Sequence, residues 1–260
     1  MTPTFVLPTT YLQNLFLVFI RVLAILASSP IFGSRTIHSV AKIGLALLLS
    51  FVLLPLGSQN LVSFPGDFFT FALAIGRELL LGFLVGFVAS LVFAVLEAAA
   101  QLIGVQIGFR IADVMDPVFA IRTSILDQFY TLFASLIFLA IDGHHWLIMG
   151  LQRTFAIVPL GGLQISAPAM DTLIGLSAQV FVVALRISLP VAGTLLLTDL
   201  ALALAARLVP QMNMFLVGMP LKVAVGLVTL LFMLPTANSL IRSLLQGMVG
   251  DFILLLEQAK

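Results

Sequence analysis

The side chains that could carry chemistry are few and scattered. Asp142-Gly-His-His145 is the only place where acid-base and metal-ligand types cluster. A helix that holds a metal with two histidines sets them at i and i+4. Adjacent histidines point about 100° apart, so a single ion on both is not expected. No H-E-x-x-H occurs, and the third histidine, His38, is distant in sequence. The stretch therefore reads as a polar turn between helices. Asp113 and Asp116, at i,i+3, share a helical face, as the carboxylate pair of an intramembrane hydrolase would. Arg110 shares that face and favours keeping Asp113 ionised, and nothing marks either carboxyl as the proton-holding member. There is no G-x-S-x-G elbow and no phosphate-cradling glycine loop. The residues point to a chain that is not an enzyme and holds neither metal nor cofactor.

A second group of polar residues is more informative. Arg21, Arg77, Glu78, Glu97, Arg186, Asp199 and Lys222 all interrupt apolar runs. Each would cost about 2.5–3.5 kcal/mol at the centre of a lipid-facing helix, and the sum would defeat simple insertion. The helices that carry them are expected to face protein or a water-filled passage, which makes the chain one subunit of a larger assembly. Gly82-x-x-x-Gly86 and Gly104-x-x-x-Gly108 add small-residue patterns that let helix backbones approach closely. The alternative is a small proton-coupled secondary transporter, with Arg77, Glu78 and Asp199 as its proton relay. Such carriers have matched halves, and no internal repeat is found here.

These residues must be positioned by helices. The chain has 260 residues, is 61% hydrophobic and only 9% charged, with a mean hydropathy of +1.22. Soluble domains carry about 25% charged residues, so a bilayer or an apolar assembly is the natural solvent. A formal charge of +1 offers no field for nucleic acid, and without cysteine there is neither a disulfide nor a thiolate site. The first segment lacks a basic start and is expected to be retained. About 20 apolar residues span the hydrocarbon core as a helix, which nominates 11–33, 40–57, 68–96, 124–141, 145–160, 173–209 and 213–257. The last two are long enough to fold back as hairpins, and Pro190, Pro220 and Pro235 are expected to kink them. Period-2 alternation is absent, so the class is all-α, a multi-helix integral membrane protein. Arg35, His38 and Lys42 would place the first loop in the cytoplasm.

The blocks Arg21-Val-Leu-Ala, Ser29-Pro-Ile-Phe32, Ala98-Ala-Ala-Gln-Leu-Ile-Gly-Val-Gln-Ile-Gly-Phe109, Asp116-Pro117, Gln128-Phe-Tyr and Phe138-Leu-Ala-Ile-Asp-Gly-His-His145 follow one another along the chain. In that order they resemble the FliR/SctT family of type III secretion export-gate subunits, over nearly the whole chain. The histidine pair and Gly218-Met-Pro-Leu-Lys222 look more like the flagellar branch. Thr198-Asp-Leu-Ala-Leu-Ala, Pro210-Gln-Met-Asn-Met and Gly218-Met-Pro-Leu-Lys-Val-Ala-Val225 resemble a FliQ hairpin. The resemblance implies a FliP-like part over 1–180, with a plug loop near 104–119, and a FliQ-like hairpin over 181–260. It implies one copy of the chain in a hetero-oligomer with several copies of FliP and FliQ, associated with FlhB and FlhA in the bacterial inner membrane and flagellar basal body. Unfolded flagellar proteins would pass through, driven by the proton motive force and an ATPase of other subunits. Much of that assembly would be lifted out of the bilayer towards the periplasm. Carried over by position, the resemblance assigns the plug to Gly104, Gly108, Phe109, Arg110, Asp113, Met115, Asp116 and Pro117. The family usually has a small polar residue where this chain has Arg110.

Overall fold

Long runs of Leu, Val, Ala and Phe can satisfy every backbone hydrogen bond within their own segment only as helices, the condition that lipid imposes. The computed structural model describes residues 9–34, 36–57, 68–108, 125–164, 166–211 and 213–259. Among them are the helices α1 (Thr9–Ser28), α2 (Ser39–Gly57), α3 (Phe68–Ile107), α4 (Ile125–Ala140), α5 (Gly143–Ile157), α6 (Ala167–Leu208) and α7 (Met214–Gln258), and no strand. The all-α reading holds. By length and composition α1, α3, α6 and α7 can each cross a membrane, whereas α4 and α5 qualify only when taken together.

Two expectations are corrected. The helix expected over 68–96 runs on to Ile107, because Ala98-Ala-Ala100 continues it with the strongest helix former past the exposed Glu97. The last two segments do not fold back on themselves: α6 is one helix of 42 residues and α7 one of 45. Pro190 stays inside α6, and Pro220 and Pro235 inside α7. Each proline removes one intrahelical bond, which a helix of this length tolerates when nearby hydroxyls supply others. One turn after Pro190, the Thr194 hydroxyl donates to the Pro190 carbonyl at 2.7 Å.

The chain forms two compact units that interleave in sequence. The first comprises Met1–Leu91, Asp142–Leu176 and Gln246–Lys260, the second Val92–Ile141 and Ser177–Leu245. Residue 180 lies within α6, close to the passage from the first unit to the second. In the first unit α1 buries Leu17, Val18, Arg21, Val22 and Ile25, a stripe at helical spacing. The segment before α6 is tied to the end of α7: Ser166 Oγ donates to the Gln258 carbonyl at 2.5 Å and Gln164 N to the Ala259 carbonyl at 3.1 Å. In the second unit Val95, Leu96, Ala99 and Ile103 of α3 are buried, as are Tyr130 and Phe138 of α4, Val191 and Leu195 of α6, and Ile241 of α7. Phe93 and Phe138 meet edge to face, with ring centroids 6.3 Å apart.

The two longest helices are poorly covered by their own chain. Of the most apolar stretch of each helix, 56% is buried in α3 but only 28% in α6 and 11% in α7. At 1.5 Å per residue α6 and α7 are about 63 and 68 Å long, twice the hydrocarbon thickness of about 30 Å. A single crossing cannot place their whole length in lipid tails.

Candidate functional site

Arg21 sits in the middle of α1 and is fully buried, as is Glu78 on α3. The two form a forked ion pair: Arg21 Nε donates to Glu78 Oε2 and Nη2 donates to Oε1 at 3.0 Å. The other donors reach the end of α5. Nη1 donates to the carbonyls of Thr154 at 3.2 Å and Val158 at 3.0 Å, and Nη2 to that of Pro159 at 3.4 Å. The guanidinium also lies 4.4 Å from the centroid of the Phe155 ring. All five guanidinium N–H groups therefore have acceptors, the condition under which a buried charge is tolerable. A cation at a helix C-terminus also meets the negative end of the helix dipole.

The acidic partner has a second task. Glu78 Oε1 accepts from Gly161 N at 2.7 Å, and the neighbouring Arg77 Nη1 donates to the Gly161 carbonyl at 2.9 Å. Gly161 has φ 72°, a left-handed conformation that favours glycine, so adjacent side chains of α3 grip both faces of one turn. Arg77 is exposed, and removing one such bond costs about 1 kcal/mol. Arg77→Ala should lower thermal stability by that small amount and leave the chain accumulating normally in membranes. This would set it apart from any change at Glu78.

The helices can bring these charges together because Glu78, Gly82 and Gly86 follow at four-residue spacing on α3. A Cβ at Gly82 would lie 2.9 Å from the Arg21 carbonyl oxygen and 3.2 Å from Ile25 N, so backbone abuts backbone. The Ser28 hydroxyl donates to Gly82 O at 3.4 Å. The first small-residue pattern is thus an α1–α3 contact. Gly82→Leu should force the helices apart by overpacking, at about 1–3 kcal/mol or more, and limited proteolysis of membranes would show faster cleavage.

The remaining sequence candidates separate. Asp199 pairs with Lys222 at 2.9 Å, linking α6 and α7 across their hairpin in the second unit. Asp199 is exposed and Lys222 half-buried, while Glu97 and Arg186 are exposed and have no ion partner among the described residues. Burial within the chain is thus confined to Arg21 and Glu78. Gly104 is buried inside α3 and so does not belong to a loop. Gly108 ends the helix with φ 97° and its N–H on the Gly104 carbonyl at 3.2 Å, as a glycine C-cap does. Phe109, Arg110, Asp113, Met115, Asp116 and Pro117 lie outside the described residues.

At the Asp142-Gly-His-His145 turn, Asp142 adopts φ 57° before α5, and His144 Nδ1 is buried without a hydrogen-bond partner. Among the described residues no three metal-ligand side chains converge. Sequence reasoning missed the Thr154–Gly161 segment, whose contribution is backbone carbonyls and one N–H. The available signal was that the charges on α1 and α3 have opposite sign and are each too costly alone.

Helices of this length, a buried polar clamp and a helix-ending Gly108 before Asp116-Pro117 are matched in known proteins. The model of bacterial export proteins, family 1, matches residues 12–248. Flagellar biosynthetic protein FliR of Escherichia coli K12 is 32% identical over 227 residues, 87% of this chain and 86% of that protein. The chain belongs to the FliR family of bacterial export proteins. FliR of Bacillus subtilis 168 is 34% identical over 218 residues, 83% of each chain, and FliR of Aquifex aeolicus VF5 is 32% identical over 225, 86% of each. Membership makes this chain a flagellar export component, and its membrane-length helices make it a membrane-associated one.

Proposed function

We propose that the chain is a non-enzymatic channel subunit of the flagellar type III export gate, present in one copy with FliP-like and FliQ-like partners and associated with FlhB and FlhA. Unfolded flagellar proteins pass through that assembly across the inner membrane. The observation that carries this reading is the uncovered apolar length of α6 and α7. Lipid covers about 30 Å of a helix, and it does not cover Arg186, Asp199 and Lys222 cheaply, so protein neighbours are the cover that fits both. The FliP-like part over 1–180 and the FliQ-like hairpin over 181–260 remain the division we favour, since α6 and α7 form a helical hairpin closed by a short turn. Within it the segment from Gly108 to Pro117 acts as the plug, with Gly104 anchoring it inside α3.

The transporter alternative needs Glu78 and Asp199 free to exchange protons. Glu78 instead holds Arg21 and the Gly161 N–H, and Asp199 holds Lys222.

Expression alone and with partners tests the proposal. The chain should be degraded or aggregate on its own and accumulate when its FliP-like and FliQ-like neighbours are co-expressed. Equal accumulation and protease resistance in both cases would sink the idea.

A further inference from the structure

In the second unit a groove of about 370 Å³ runs between α3 and α6. One wall is Ala98, Gln101, Leu102 and Val105, and the other includes Phe181 and Leu185. Glu97 precedes the first wall and shares the i,i+4 stripe of Gln101 and Val105, while Arg186 adjoins Leu185. Of the charges that interrupt apolar runs, these two alone have no partner among the described residues, and both are exposed. We propose that this groove seats an apolar helix of a partner subunit, one that carries a carboxylate for Arg186 and a basic side chain for Glu97. The inference rests on the assembly reading above and names one of its contacts.

Three features favour a helix over a lipid chain. The Gln101 amide stands on an apolar wall, where an acyl tail offers it nothing and a polypeptide offers hydrogen bonds. Ala98 and Ala184, one on each wall, leave room for a helix backbone. Pro190 has no N–H to give the Arg186 carbonyl four residues earlier, so the level of Arg186 presents an unmatched backbone acceptor beside its guanidinium. Opposite charges at the two walls also fix the register and direction of the incoming helix, as charge complementarity does at interfaces. Phe181, 71% exposed, is the aromatic anchor expected at such a contact.

The test is photo-crosslinking from benzoylphenylalanine placed at Leu102 or Phe181 in the full chain, co-expressed with its partners in membranes. The expected result is a protein adduct whose captured peptide is an apolar helix bearing both an acidic and a basic residue. Its yield should fall at least about tenfold in Arg186→Glu and stay within about twofold in Arg186→Lys, because like charges across an interface are strongly disfavoured. Reversing the partner's acidic residue should restore the Arg186→Glu yield, which separates a lost contact from a misfolded chain. Adducts with lipid alone, no adduct from an assembled complex, or a yield indifferent to Arg186→Glu would each overturn the proposal while leaving the assembly reading intact. Failure of the unmodified chain to assemble at all would remove both.

Discussion

Glu78→Ala should destabilise the first unit by about 3–5 kcal/mol, since it leaves the Arg21 guanidinium buried with only backbone carbonyls to oppose its charge. Domains are stable by roughly 5–15 kcal/mol, so this one change removes much of the margin. The chain should fall to a small fraction of its normal level in membranes and motility should be lost. Glu78→Gln preserves shape but not charge, and should fail almost as badly. The double variant Arg21→Met with Glu78→Leu should be markedly less damaging than either single change, because replacing a buried pair by apolar groups of similar volume is often neutral. Quantitative immunoblotting with thermal aggregation of solubilised membranes reads all three. A Glu78→Gln chain that accumulates normally but no longer supports export would instead mean that Glu78 handles protons.

Removing residues 110–117 should have the opposite profile. The deletion leaves the clamp around Arg21 untouched and begins beyond the Gly108 cap, so the α3 helix keeps its ending. Assembly should survive, while the closed gate loosens. Cells should become leaky to ions and small molecules, seen as loss of membrane potential or uptake of an otherwise excluded dye, in proportion to the assembled complex. Unchanged permeability together with lost assembly would make the segment scaffold and not plug.

How much of this was legible in the sequence depends on which interaction fixed each feature. Helix positions were, because apolar length is a local property: the expected 11–33 and 40–57 lie over α1 and α2. The end of α3 was misplaced because Glu97 and Gln101 lower the hydropathy while Ala98-Ala-Ala100 keeps the helix going. Pro190 and Pro235 read as breaks, yet the backbone carries α6 and α7 through them. The clamp was half visible. A charge in each of two apolar helices called for a partner, but Arg21 and Glu78 are 57 residues apart and nothing local pairs them. The third element, the turn at Gly161, contributes only main-chain groups, which leave no mark in side-chain chemistry. The family likeness, by contrast, was carried by ordered short blocks, and residues 12–248 bear it out.

The most direct measurement is native mass spectrometry of the affinity-tagged chain, extracted from membranes in mild detergent. A subunit of the export gate should emerge as a hetero-oligomer that contains one copy of the 27.9 kDa chain together with several copies of FliP-like and FliQ-like proteins. A stable, fully helical monomer of this chain, with no such proteins bound, would contradict the account.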